Sequence, residues 1–313
     1  MERQWLDEDR RTITDFLDYG RETVHRYVDL LAHEASRVQE IVIAREERFG
    51  VALWLRVLNE EDVPGIQFTH LDEHRFHQLS AYPPLLRHPS PRRILVLGGV
   101  DFPLAIRIMT CNGVASVEIA DWDHRVGELV LEHCDWIREL YQAIVPQKRL
   151  IVPGEVDVRA LLPNGKPESY DGIFADLIDA ATLNAFIPGF LEYVYRMLRP
   201  GGFFSTQAGS GSLAPPDALK LAQGVREFRE TFMGDDRKGS VWLWTWPIES
   251  FSYPQVWLCG WKERLVEPPM VTNRLIKNRF DLSRWKLDRP FFSPRVCHSA
   301  FAIPKDLAKA IGW

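Results

Sequence analysis

The apolar positions of this chain follow three regimes. Between residues 7 and 36 they recur every three to four places, at Ile13, Phe16 and Leu17 and then Val24, Tyr27, Val28 and Leu31. That spacing predicts an amphipathic helix, or two helices divided at Gly20. From residue 38 to residue 69 the runs shorten. Stretches 38–43, 51–58 and 66–69 read as strands, with Gly50 and Pro64-Gly65 marking the turns, so a small antiparallel β region is expected. Residues 72–86 read as a helix leading out of it. From Arg93 onward short apolar runs alternate with longer amphipathic ones. Strands are expected at 93–97, 114–120, 149–152, 171–175 and 203–207, and helices at 104–111, 125–145 and 183–198. This alternation predicts an α/β domain with a doubly wound, mostly parallel sheet.

Ligands in such sheets bind beyond the carboxyl ends of the strands. The residues that follow the predicted strands are Gly98 and Gly99, Asp121, Gly154 and Glu155, and Asp176. A glycine turn lets the backbone approach a ligand closely. A carboxylate at the end of the next strand commonly accepts hydrogen bonds from ribose hydroxyls, although Asp121 also fits a solvated loop. Together these features predict a nucleoside-binding domain. Asp176 and Asp179 follow a strongly apolar strand and can bind or deprotonate an amine. Asp179 also fits the N-cap of the next helix.

The 313 residues are 46% hydrophobic, enough for one large or two modest domains. A net charge of −5 gives no basic footprint for nucleic acid and suits a cationic substrate. Cys111, Cys134, Cys259 and Cys297 are scattered with no CxxC pair, which argues against a zinc knuckle or a disulfide framework and for reduced thiols in a cytoplasm. No stretch approaches roughly 18 uninterrupted apolar residues, so neither a signal peptide nor a membrane span is expected. His70, His74 and His77 come close to one helical face, but no acidic or cysteine partner at ligand spacing completes a metal site. The tryptophans Trp242, Trp244, Trp246, Trp257 and Trp261 are expected mostly in the core or at an interface.

A set of segments, in order, resembles the polyamine aminopropyltransferase (spermidine synthase) family. They are Asp72-Glu73-His74-Arg75-Phe76-His77-Gln78-Leu79, Leu97-Gly98-Gly99-Val100-Asp101, Ala120-Asp121-Trp122-Asp123 and Gly154-Glu155. There follow Tyr170 through Asp179, Pro200-Gly201-Gly202 through Ser210, Ser252-Tyr253-Pro254, and Phe291 through Pro304. The resemblance implies a Rossmann-like, class I methyltransferase-like catalytic domain over residues 86–313. Ahead of it lie a small β domain with its linking helix at 37–85 and an N-terminal helical extension at 1–36.

It further implies transfer of an aminopropyl group from decarboxylated S-adenosylmethionine, as co-substrate, to putrescine or another polyamine. No tightly bound cofactor, nucleic acid or membrane is implied, and the assembly is expected to be a homodimer or homotetramer. Gln39, Gly98, Asp121 and Glu155 are expected around the nucleoside, with Asp121 on the ribose and Glu155 on the adenine edge. Asp101 is expected to bind the ammonium of the aminopropyl arm. Asp176 is expected as general base, and Gln67, His77, Asp179 and Tyr253 line the acceptor site, Tyr253 with a part in catalysis. The donor is a sulfonium with an already activated carbon, so the chemistry calls for no metal.

Departures from the family pattern bear on the acceptor. Val100, Phe102 and Pro103 replace smaller residues and are expected to narrow the arm pocket. Phe76 replaces a tyrosine, and Gln78 replaces a glutamate that holds the far end of a polyamine. Longer, shorter or less charged amines therefore join putrescine as candidate acceptors. Two alternatives use the same frame: a transferase taking intact S-adenosylmethionine, and a silent nucleoside- or polyamine-binding homologue. Asp101 disfavours the first, because it would repel the carboxylate of an intact donor.

Overall fold

In a computed structural model the described residues are 5–17, 21–58, 65–147, 149–177, 180–234, 236–265, 271–280 and 291–313. The N-terminal segment corrects the first expectation. Where a helical extension was expected over 1–36, the chain forms strands β1 (Leu6–Asp7), β2 (Thr12–Leu17) and β3 (Arg21–Ala35). Burial here alternates with period two: His25 and Tyr27 are buried, while Val24 and Val28 are 55% and 50% exposed. The valines that fitted a helical stripe therefore lie on the solvent face of a strand. Their β-branching and that of Thr12, Ile13, Thr14 and Thr23 favour the extended chain.

These strands continue into β4 (Gln39–Glu46), β5 (Gly50–Val57) and β6 (Gly65–Thr69), making one antiparallel sheet in chain order. The three strands expected between residues 38 and 69 are all present. One face of the sheet buries Trp5, Ile13, Tyr27, Val42 and Trp54. The other sends Ile41, Ile43, Leu53 and Phe68 into the main core.

Helix α1 (Glu73–Arg87) joins this sheet to the second one. Asp72 anchors its start, accepting from Thr69 Oγ1 at 2.7 Å and from the Ser250 hydroxyl and amide at 2.9 Å. Trp244 Nε1 donates to the Leu79 carbonyl at 3.1 Å, and Trp257 Nε1 to Ser80 Oγ at 2.8 Å. Two fully buried indoles thus satisfy their only polar atoms on α1 and pin it to the sheet. Trp242, Trp244, Trp257 and Trp261 are all buried, as expected of core tryptophans.

The second sheet is doubly wound, and its chain order alternates strand and helix: β7 (Arg93–Gly98), α2 (Pro103–Met109), β8 (Ser116–Ala120), α3 (His124–His133), α4 (Asp135–Ile144), β9 (Arg149–Ile151), α5 (Val158–Asn164) and β10 (Tyr170–Asp176). Next come α6 (Ala180–Phe186), α7 (Phe190–Met197), β11 (Leu198–Ser210), α8 (Pro215–Met233), β12 (Ser240–Pro247) and β13 (Pro254–Trp261). The spatial order is β9-β8-β7-β10-β11-β13-β12. Strands β9 through β11 run parallel, and β13 and β12 add an antiparallel edge.

Along β7, Ile94 and Val96 face one core, and Leu95 and Leu97 face the other. The strands are covered on both faces, which is why they read as continuous apolar runs. Two helices expected to be continuous are broken. Residues 125–145 divide at Cys134, whose φ of −109° and ψ of 81° are not helical. Residues 183–198 divide at Gly189, with φ +79°. The C-terminal helices α9 (Asn273–Arg279), α10 (Pro294–Ala300) and α11 (Lys305–Ala310) close the two faces. Among the described residues no helix is long and apolar enough to cross a membrane.

Phe204, fully buried on β11, stacks on Phe228 of α8 with centroids 5.5 Å apart and lies 5.8 Å from Phe190. Phe204→Ala should destabilise the fold by about 3–5 kcal/mol, read as a lower midpoint in chemical denaturation.

Candidate active site

The strand order reverses between β7 and β10, and their carboxyl ends lie side by side: Asp176 pairs with Gly98, and Leu97 with Ala120 of β8. This is the switch point where doubly wound sheets leave a crevice. The small sheet roofs it, giving a cavity of about 710 Å³. Gln39, Leu55, Val57, Gly65 and Gln67 line the roof, and His77 comes from α1. The floor carries Gly99, Val100 and Asp101 of the β7–α2 turn, Asp121 and Trp122 after β8, and Asp176 and Leu177 after β10. Val156, Asp157, Val158 and Phe186 close one end. Ties between the layers fix the roof: Arg125 donates twice to Glu34, both at 2.8 Å, and Ser36 Oγ donates to Asp123 at 2.7 Å.

The turn after β7 needs its glycines. Gly98 and Gly99 have φ of +77° and +73°, and a Cβ on Gly98 would overlap the Asp176 carbonyl oxygen. Gly99 would place a Cβ 3.1 Å from Asp176 Oδ2, so its bare Cα makes room for that carboxylate. The bulkier residues of the turn do not all face the cavity. Val100 lines the cavity, whereas Phe102 packs on Tyr141, with centroids 4.8 Å apart, and against Gly127. Pro103 occupies the first turn of α2, where its missing N–H costs nothing.

Three carboxylates, Asp101, Asp121 and Asp176, meet in the cavity, and among the described residues no basic side chain is bonded to them. Asp101 is pushed well above the ordinary aspartate range by burial and then by the neighbouring Asp176 charge, and its Oδ1 is buried with no hydrogen-bond partner among the described residues. Burial also raises Asp176, and the His77 charge opposes that rise. Asp121 is raised by burial, in part offset by hydrogen bonds from the amides of Asp123 at 2.9 Å and Val100 at 3.3 Å. Such a cluster invites a cation with its own N–H donors, and a carboxylate raised toward neutrality suits proton abstraction.

His77 stands over the pair. It is buried, its Nδ1 lies 2.8 Å from the Glu73 carbonyl oxygen, and its pKa is raised although burial acts against the charge. The other two histidines of the sequence trio go elsewhere. His70 stacks on Trp136 at 4.3 Å, and His74 meets Phe291 edge-on at 6.2 Å.

The structure therefore brings Gln39, Gln67, His77, Asp101, Asp121 and Asp176 together, with Gly98 shaping the turn behind them. It does not bring in Glu155, which is half exposed and ion-paired to Arg37 outside the cavity lining. Asp157 lines the cavity instead. It caps α5 by accepting from the Arg159 amide at 2.8 Å, and the Arg159 guanidinium lies over Trp122 at 5.2 Å and Phe186 at 5.8 Å. The acid two places beyond Glu155, just ahead of a helix, was the available sequence signal. Tyr253, expected at the acceptor site, lies in the turn before β13, and it too is outside the lining. Asp179 falls outside the described residues. Gln78, which stands for an acceptor-binding glutamate, is buried and accepts from the Phe292 amide at 2.9 Å. Phe76 stacks on Phe251 at 5.4 Å.

A switch-point crevice with an acid after β8, a carboxylate pair beyond the ends of β7 and β10 and a β roof is the arrangement of a nucleoside-dependent transferase of the α/β class. The comparisons with known proteins make this specific. The spermine/spermidine synthase domain matches residues 73–233, and the chain belongs to that family. A polyamine aminopropyltransferase of Pyrobaculum neutrophilum is 29% identical over 250 residues, covering 77% of this chain and 79% of that protein. The fold matches the crystal structure of spermidine synthase from Thermotoga maritima with a TM-score of 0.75 at 15% identity, covering 100% of this chain and 98% of that one. A spermidine synthase in complex with the transition-state analogue AdoDATO also scores 0.75, at 17% identity, with the same coverage. The family and fold class expected from the sequence are borne out.

The raised Asp101 has a stability consequence. Its folded value lies above its unfolded one, so the folded chain holds the proton more tightly and loses stability as pH rises above the ordinary aspartate value of 3.8. Asp101→Asn should raise the Tm of the unliganded protein by a few degrees at about pH 8 and by much less at about pH 4, measured by calorimetry.

Proposed function

We propose that this protein transfers the aminopropyl group of decarboxylated S-adenosylmethionine to an amine and releases methylthioadenosine. The observation that carries this reading is the meeting of Asp101, Asp121 and Asp176 beneath His77 in one crevice. Asp121 holds the ribose, with Trp122, Phe186 and Asp157 around the base. Asp101 takes the ammonium of the aminopropyl arm. An intact donor would set its carboxylate against this acid, which favours the decarboxylated one.

The acceptor enters beneath the roof, past Gln39, Gln67 and His77. A primary amine of pKa near ~10 is about a thousandth deprotonated at neutral pH, a cost of roughly 4 kcal/mol. Asp176 accepts its proton and aims the freed lone pair at the S–CH₂ carbon. The new C–N bond forms as the C–S bond breaks. The electron pair stays on sulfur, which leaves as a neutral thioether. Holding both reactants in line supplies much of the remaining acceleration.

The same reading carries a cytoplasmic location, supported by four free, buried cysteines. It also carries a homodimer or homotetramer through the N-terminal sheet, supported by the exposed Val24 and Val28 of β3.

The test is an assay of purified protein with a panel of amines and either decarboxylated or intact donor, followed by mass spectrometry. Methylthioadenosine and an amine heavier by one aminopropyl unit should form with the decarboxylated donor alone. Product from the intact donor alone would overturn the reading. Asp176→Asn should lower kcat by about 10²–10⁴-fold while leaving methylthioadenosine affinity nearly unchanged. Unaltered turnover would remove Asp176 as the base.

A further inference from the structure

Behind the cavity wall lies a charge assembly that substrate does not reach. Arg107 of α2 donates from Nη2 to Glu73 Oε1 at 2.7 Å, and both side chains are 4% exposed. The second Glu73 oxygen, Oε2, is buried with no hydrogen-bond partner among the described residues and lies 3.4 Å from His77 Nδ1. A carbonyl oxygen only accepts, so the 2.8 Å contact with the Glu73 backbone requires the proton on His77 Nδ1. A buried ion pair seldom stabilises a fold better than well-packed apolar residues do, so it is weak evidence of a purely structural role.

We propose that Glu73, itself held by Arg107, is a positioning residue for the transfer: its backbone carbonyl orients the His77 ring through Nδ1–H and its carboxylate holds the ring cationic, so that a positive charge stands against Asp101 and Asp176 and keeps the base ionised. The inference rests on the reading of Asp176 as base. The charges facing His77 are Glu73 on its own helix, Asp176 from the end of β10 and Asp101 from the β7–α2 turn, while Glu73 in turn faces Arg107 of α2, His77 and His74. The groups that act on His77 are thus all acids, and the nearby guanidinium is already engaged by Glu73. The titration directions agree. Burial opposes charge on both side chains, yet Arg107 and then His77 hold Glu73 at about 2, and Glu73, Asp176 and Asp101 raise His77.

The first measurement is an NMR titration of histidine-labelled, unliganded full-length protein, with His77 assigned from a His77→Asn spectrum. His77 should titrate above the ordinary 6.5, and Glu73→Gln should lower its midpoint by about one pH unit or more. The doubly neutral Glu73→Gln/Arg107→Met variant removes the buried charges together, so it should fold with near-native stability yet keep the lowered midpoint. In both variants the acid limb of kcat/KM should move upward, because Asp176 loses its cationic neighbour. A Glu73→Gln midpoint equal to wild type, or a double variant that returns to it, overturns the proposal. The titration is read without turnover. A failed transfer assay would therefore count against the proposed function, whereas an unmoved His77 would count against this inference alone.

Discussion

Everything at this site depends on keeping negative charge in a partly enclosed crevice where burial works against it. Asp101 and Asp176 share the crevice at the carboxyl edge of the sheet, and each makes the other harder to ionise. Left alone, such a pair would take up a proton and lose its attraction for a cationic substrate. The compensation comes from behind the wall, through His77 and the Glu73–Arg107 pair, and from in front only when a cationic ligand arrives. The unliganded protein is therefore electrostatically strained in the direction that binding relieves.

The backbone takes part in the same constraint. The left-handed turn at Gly98 and Gly99 brings β7 so close to β10 that a side chain at Gly98 would overlap the Asp176 carbonyl. Closeness of the two strands and closeness of the two acids are one fact. The small sheet supplies the roof, and Arg125–Glu34 and Ser36–Asp123 hold it over the crevice.

Much of this was legible in the sequence. Strands buried on both faces wrote themselves as unbroken apolar runs, and the residues at their ends fell where doubly wound sheets bind ligands, so Asp121 and Asp176 stood out, while the family resemblance added Asp101; all three line the crevice. The N-terminal strands were not. Their apolar residues are sparse, and Val24 and Val28 fitted a helical stripe although the strand turns them to solvent and buries His25 instead. Glu155 and Asp157 could not be told apart, because two acids two places apart differ only in which of them the capped helix α5 turns inward. The Glu73–Arg107 pair was invisible for another reason: its members lie 34 residues apart, and nothing local marks either as buried.

Helix α1 has a consequence for how such a protein can diversify. The indoles of Trp244 and Trp257 and the anchored Asp72 clamp it to the large sheet, and the same helix carries Glu73 and His77. Rigidity and charge balance therefore sit on one element and must be inherited together. The roof strands β4, β5 and β6 contribute only neutral side chains to the cavity lining. Substitutions on that roof can therefore remodel the cavity lining without disturbing the Asp72, Trp244 and Trp257 contacts that clamp α1.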